Sequence, residues 1–254
     1  MDELLLSRIE DAGLNASAPP QQLWIDGWIV RTSAGKARRA RCVNAVATGR
    51  LPVGRKLELA AAVFAQAALP MVVRITRFTL PADLDAQLAA LGWTRLVDTQ
   101  VMVLPRIATG AVADLPVGMR WCRLDALSYA EEVGSLRGSP EPQRRAHAER
   151  LALSPVPYQG YAICRDTDGA ILACGQFARE GEIVGLYDVF TLPDARGQGV
   201  ARLLCERLLA LAAAEGAEVG YLQVEVDNVA ARRVYQRLGF ADGYGYHYRQ
   251  PPGG

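Results

Sequence analysis

"LPDARGQGVARLL", residues 192–204, is the stretch on which the fold turns. A proline, Arg196, Gly197 and Gly199 stand immediately before a strongly helical run. Glycine is unfavourable in a helix by about 1 kcal/mol relative to alanine. Two of them at a helix entrance imply a backbone that something must approach closely. The first turn of a helix carries unpaired N–H groups and the positive end of the helix dipole, and both attract anions. Gly197 and Gly199 would let a phosphate reach those amides, with small Ala201 alongside and cationic Arg196 and Arg202 nearby. Two other phosphate turns do not fit. A nucleotide P-loop needs G-x-x-x-x-G-K-[ST], and no Lys-Ser/Thr follows here. The dinucleotide fingerprint G-x-G-x-x-G needs a third glycine where Arg202 stands.

Outward from this turn, the pattern is of mixed α/β type. Strands are predicted at 120–125, 158–166, 170–179 and 182–191, with Asp168-Gly169 marking a hairpin. Helices are predicted to about residue 136, across 141–153, at about 199–215 and at 228–239. Strand 218–226 and an extended 243–250 complete this half. Before it, the sequence predicts a helix at about 2–11, strands 22–31 and 36–46, and a helix at about 55–68. Strand 71–78, a helix opened by "LPADLDAQLAALG" and an extended "TRLVDTQVMVLP" follow. The small, turn-rich residues 106–117 read as a linker. An echo joins the halves: "LGW" at 91–93 and "LGF" at 238–240 are 147 positions apart (238 − 91), and the flanking strand, helix and tail coincide under that shift. A duplicated half is the natural explanation.

Arg196-x-x-Gly199-x-Ala201 resembles the (Arg/Gln)-x-x-Gly-x-(Gly/Ala) acyl-CoA signature of the GNAT superfamily of N-acyltransferases. Downstream, "NVAARRVYQRLGF" (228–240) is similar to that family's second marker: an Asn, a small residue, a Tyr and a closing Gly-Phe. The resemblance covers about 118–250. It implies the GNAT fold, a mixed α/β sheet, with a catalytic domain over 118–254 and a degenerate GNAT-like domain over 1–105. It also implies acetyl-CoA as cosubstrate, its diphosphate on Arg196, Gly197, Gln198, Gly199, Val200 and Ala201. The pantetheine arm would lie where the strands ending near Thr191 and Val226 splay apart, with Asn228 contacting it or ordering water.

Transfer of an acyl group to an amine needs a proton acceptor for the amine, donors for the thioester oxygen, and a proton for the departing thiolate. Backbone N–H groups around Phe190 and Thr191 are the expected oxygen donors. Tyr235, two helical turns beyond Asn228 on the same face, is the expected acid, since an ordinary Tyr is protonated at neutral pH. Asp188 and Glu225, on the strands entering and leaving the site, are the alternative general bases. His247 in "YGYHYR" reads as a strand-edge residue, and His147 sits in a charged helix. A non-catalytic CoA-binding sensor or scaffold, and transfer of a longer acyl chain, are the competing readings.

Under the 147-residue shift, Asn228 corresponds to Pro81 and Tyr235 to Leu88, and no glycine signature precedes the helix near 55. The first half therefore reads as an inactive partner that packs on the second and shapes the acceptor cleft. Its basic run Lys36, Arg38, Arg39 and Arg41 reads as a solvated strand face, attraction of an acidic acceptor being the alternative. Alternation in "WIDGWIV" places Trp24 and Trp28 together on a core face.

Of 254 residues, 50% are hydrophobic, so a large core can form, and 28 Lys+Arg against 27 Asp+Glu give a net charge of +1. That balance argues against a bulk nucleic-acid binder. The acidic, amphipathic start predicts no signal peptide, and the most apolar stretch, 59–73, is broken by Gln66 and Pro70, so no membrane partner is expected. Five scattered cysteines without CxxC spacing read as inert thiols in a reducing, cytoplasmic compartment, and no metal site is expected. The acceptor amine and the oligomeric state, a homodimer being one option, are not legible.

Overall fold

The computed structural model describes residues 1–108, 110 and 113–253. Helix α1 (Glu3–Ala16) is capped by Asp2, whose carboxylate accepts the Leu4 N–H. A hairpin of β1 (Gln22–Ile25) and β2 (Trp28–Arg31) follows, then β3 (Val43–Ala45), α2 (Val53–Gln66), β4 (Val73–Ile75), α3 (Leu84–Ala90) and β5 (Thr94–Leu104). The second half runs β6 (Met119–Leu124), α4 (Ala126–Leu136), α5 (Glu141–Ala152), β7 (Tyr158–Arg165), β8 (Ile171–Glu180) and β9 (Ile183–Thr191). It ends with α6 (Val200–Ala214), β10 (Val219–Glu225), α7 (Val229–Arg237) and β11 (Ala241–Gln250).

Among the described residues, the eleven strands form one sheet, in the order β1-β2-β3-β4-β11-β5-β10-β9-β8-β7-β6. The 147-residue shift is visible in it. Adding 147 to α2 gives 200–213, against Val200–Ala214 for α6, and adding it to β5 gives 241–251, against Ala241–Gln250 for β11. The two equivalent last strands have changed places. β5 pairs antiparallel with β10 of the second half (Gly220↔Leu104 to Glu225↔Thr99), while β11 pairs antiparallel with β4 of the first (His247↔Ile75 to Arg249↔Val73). β5 and β11 also pair with each other. The halves are thus continuous through their backbones, and the chain boundary between them does not divide the sheet. Of the linker, Thr109, Ala111 and Val112 lie outside the described residues. Ile107 donates its N–H to the Glu218 carbonyl (2.7 Å) and its side chain is buried.

Each half keeps its own core on one face. In the first, Trp28, Ala60, Phe64, Leu84 and Leu88 are sealed beneath α2 and α3. In the second, Leu204 and Leu208, one turn apart on α6, are fully buried on β8 and β9. Each such leucine contributes about 1.5–3 kcal/mol by leaving water, so Leu208→Asp would detach the helix. A third cluster lies on the opposite face, where Leu6 and Ile9 of α1 meet Tyr187, Tyr221 and Tyr244.

Three sequence expectations are corrected. Residues 22–31 are two strands, because Asp26-Gly27 takes positive φ (42° and 86°) and turns the chain into a hairpin. Trp24 then faces solvent at 62% exposure while Trp28 is fully buried, so the two do not share a core face. Residues 36–46 are not one strand: Arg38–Ala40 form a turn of 3-10 helix, leaving only Val43–Ala45 extended. All five cysteines are free, and burial pushes the thiols of Cys164, Cys174 and Cys205 up to about 12. Among the described residues, no helix is long and apolar enough to cross a membrane.

Candidate active site

The parallel pairing of β9 with β10 stops at Leu186↔Leu222. Beyond it β9 follows β8 and β10 follows β5, so the two strands part and leave a gap in the sheet. A bulge causes the departure. Between Gln176↔Tyr187 and Cys174↔Phe190 two residues of β9, Asp188 and Val189, oppose the single Gly175, and Asp188 takes φ 52°. Such a bulge bends and twists its strand. Gly175 suits the close packing there: a Cβ would lie 3.0 Å from Leu208, 3.1 Å from Leu204 and 3.3 Å from Val189, so these side chains would have to give way.

Leu192 donates its N–H to the Leu172 carbonyl at 2.9 Å. By the two-residue alternation of an antiparallel ladder, Phe190 also donates toward β8 and Thr191 turns its N–H to the open side. Of the two backbone donors expected around this point, Thr191 is therefore the one facing the gap. Phe190 instead lies under the Arg137 guanidinium, 5.6 Å from ring centre to Cζ.

On one side of the gap stands the glycine turn. Gly197 and Gly199 have φ of 77° and 78°, in the left-handed region, and a Cβ on either would meet nothing within 4 Å. The space over the N-terminus of α6 is open. Gly199 is the N-cap residue and no side chain caps the helix, so its first amides have no side-chain acceptor. Arg196 and Gln198 brace the turn by donating to the carbonyls of Thr191 (3.3 Å) and Asp194 (2.8 Å). Val200 is buried as the first core residue of the helix. An anionic diphosphate fits this cradle, which offers free amides, room and the helix dipole.

The equivalent loop of the first half, residues 49–54, is already satisfied. The Asp26 carboxylate accepts from the backbone N–H groups of Arg50 (2.8 Å) and Leu51 (2.7 Å) and lies 3.3 Å from the fully buried Lys56 ammonium. Pro52 occupies the N-cap of α2, and Leu88 is buried where the second half has Tyr235.

The gap opens into a cleft of about 710 Å³, lined by β9, β10, α4, α5 and the 33–41 loop of the first half. Tyr235 lines it from α7, 8% exposed, with its ring edge-on to Phe240 at 6.1 Å. Burial pushes its phenol well above the ordinary value, so it holds its proton throughout the physiological range. Asn228 also lines the cleft, but its Oδ1 caps α7 by accepting the Ala231 N–H (3.2 Å). Its NH₂ is left for a ligand. Glu225 is exposed at the end of β10.

Asp188 is held tightly. Gln176, itself 1% exposed, donates to its Oδ2 at 2.7 Å, Arg137 Nη1 lies 3.5 Å from Oδ1, and His147 Nε2 lies 3.1 Å from Oδ2 in a bent geometry. Burial alone would raise its pKa, but the facing His147, Arg137 and Arg150 hold it well below the usual carboxylate range. It is therefore a stable anion and a weak proton acceptor.

Several cleft residues escaped sequence reasoning. His147 comes from a helix whose charged pattern conceals one inward-facing ring. Gln176 carried a signal, being a lone polar residue inside an apolar strand run. The basic run of the first half is not a strand face: exposed Lys36 and the half-buried Arg38, Arg39 and Arg41 line the cleft. His247 is not at a strand edge as expected, because β11 is paired on both sides, with β4 and β5. It is buried, with Nε2 2.9 Å from Asp85 of α3.

Residues 129–240 match the family described as "Acetyltransferase (GNAT) family", and this segment is a GNAT domain. The whole chain has the GNAT fold in a tandem arrangement. It superimposes on a GCN5-related N-acetyltransferase from Kribbella flavida with a TM-score of 0.71, at 19% identity over 98% of this chain and 96% of that one. A tandem GNAT protein from the clavulanic acid biosynthesis pathway gives 0.65, at 16% identity over 93% and 86%. In sequence, 116 residues are 38% identical to a mycothiol acetyltransferase of Streptomyces griseus, a match spanning 36% of either chain. An uncharacterized N-acetyltransferase of Bacillus subtilis, YobR, is 25% identical over 89% of this chain and 90% of that relative.

Proposed function

We propose that the protein transfers an acetyl group from acetyl-CoA to the primary amine of a small molecule or protein, by direct attack at the second-half gap. The observation that carries this reading is the coincidence, at one opening of the sheet, of an uncapped glycine-led helix, a free strand amide and a protonated tyrosine. The diphosphate would rest on the amides following Gly199, and the thioester oxygen would take the Thr191 N–H. The amine nitrogen attacks the thioester carbon, the C–S bond breaks, and Tyr235 protonates the departing thiolate. Glu225 takes the proton that the ammonium loses before attack, directly or through water, and the second nitrogen proton returns to Tyr235 as the amide forms. Asp188, kept ionised, contributes its charge, which holds the incoming ammonium and orients His147.

The test is calorimetry with acetyl-CoA, followed by release of free thiol across an amine library. Binding with amine-dependent thiol release is the expected result. Binding without turnover of any amine would leave a coenzyme-binding scaffold, and no binding at all would remove the reading entirely.

A further inference from the structure

The chain is nearly neutral, yet its cleft is not. Seven of the 28 Lys+Arg side chains line it, against two carboxylates, Asp188 and Glu225. Two of the seven are neutralised, Arg137 by Asp188 and Arg144 by Glu131. Among the described residues, no carboxylate lies within ion-pair distance of the other five, Lys36, Arg38, Arg39, Arg41 and Arg150. Arg39 donates only to neutral groups, Gln223 Oε1 (3.1 Å) and Tyr246 OH (3.4 Å), and its Nε is buried without a partner. Burial and the charge of Arg38 together push the Arg41 guanidinium below its ordinary value. Confined like charges raise the local potential and draw in a counter-ion.

These cations are not on the coenzyme's side of the sheet. Leu222 and Val224 of β10 pack with α6 and α7, whereas Tyr221 packs with α1 on the other face. Gln223, which alternates with Leu222 and Val224, shares the Tyr221 face and meets Arg39 there. The coenzyme's diphosphate cradle belongs to the α6 side. The cations therefore surround whatever enters from the α1 side, with Asp188 and Glu225 at the gap between.

We propose that the acceptor is a small amine carrying an anionic group, a carboxylate or a phosphate, bound by Arg38, Arg39 and Arg41 of the first half while its ammonium end reaches the gap. This rests on the acetyltransferase reading above and gives the inactive half a role, the selection of the acceptor. The layout is dipolar, anions at the gap and cations beyond it, as such a molecule requires. A volume near 710 Å³ suits a small molecule.

The experiment uses matched amines with acetyl-CoA: β-alanine against β-alaninamide, and phosphoethanolamine against ethanolamine. The anionic member of at least one pair should have the higher kcat/KM, falling as ionic strength rises, and the preferred pair tells carboxylate from phosphate. In Arg38→Gln/Arg41→Gln, KM for that member should rise about 10-fold or more, with acetyl-CoA affinity retained. Arg55→Gln/Arg145→Gln, which removes two exposed charges outside the cleft, should behave as wild type. As a second readout at saturating CoA, citrate or inorganic phosphate should raise the Tm of the wild type but not of the Arg38/Arg41 variant. Neutral amines used as well as anionic ones overturns the proposal. So does an anion shift that is missing from the wild type or retained in the variant. Failure to bind acetyl-CoA at all is a different result, and strikes the acetyltransferase reading instead.

Discussion

Asp188 and His147 face each other across the cleft, one from the bulge of β9 and the other from α5, with Oδ2 and Nε2 3.1 Å apart. The carboxylate is held below its usual range by this neighbour and by Arg137 and Arg150, against the opposing effect of burial. It stays ionised well into acid. Asp188→Asn should therefore lower kcat/KM while leaving the acid limb of the pH profile in place, because Asp188 is not the group titrating there. Glu225→Gln, which takes away the proposed proton acceptor, should lower kcat about 100-fold or more. A profile that loses its acid limb in Asp188→Asn would instead make Asp188 the base.

Tyr235→Phe removes one oxygen from a ring that is packed on Phe240. We expect kcat to fall about 100-fold or more, in the range for loss of a general acid, with acetyl-CoA affinity unchanged by calorimetry. Because burial raises the pKa of this phenol, its ionisation lies beyond the ordinary tyrosine range. No alkaline loss of activity should trace to it under assay conditions. An unchanged kcat in the variant would make Tyr235 a packing residue only.

Gly199→Ala forces an L residue into φ 78°. The strain is about 1–2 kcal/mol, although a Cβ meets no neighbour there. The helix entrance should shift to relieve it, so acetyl-CoA binding should weaken several-fold while Tm falls by only a few degrees. Thermal melts with and without coenzyme separate the two effects.

The second half was largely legible because its signals are local. Glycines at positive φ, the Asn228 cap and alternating strands each follow from neighbouring residues. The glycine turn and the strand ending at Thr191 were read in this way, whereas the role expected of Tyr235 came from its spacing to Asn228 together with the family resemblance. What was hidden is non-local. Nothing within residues 36–41 says that a strand from the far end of the chain, β11, would bring Tyr246 beside Arg39. Nor does helical periodicity disclose that His147 turns inward on Asp188. The Asp26-Gly27 turn was legible in principle, since Asp-Gly between apolar runs is a hairpin signal, but the continuous apolar pattern of residues 22–31 masked it.

Glu10 of α1 ties the halves together. It accepts from Arg74 of β4, with Nη2–Oε2 at 3.1 Å, and from the Tyr244 hydroxyl of β11 at 2.5 Å. Burial would raise its pKa, but Arg74 and Tyr244 together bring it below the ordinary carboxylate value. Glu10→Gln leaves a buried guanidinium uncompensated and should cost about 3–5 kcal/mol at neutral pH, read by urea denaturation. The wild-type pairing is fully present above the unfolded glutamate pKa of about 4.3. It is lost as pH falls through the lower folded value. The stability gap between wild type and variant should therefore narrow in acid.

The exchanged terminal strands bear on how this gene can change. The first half carries Pro52 and Leu88 where the second has Gly199 and Tyr235, but β10 still pairs with its β5, so deleting that half would tear a ladder beside the gap. Genetic drift should therefore spare its last strand as firmly as the strands of the second half. Splitting the gene between the halves should yield two fragments that refold only when mixed.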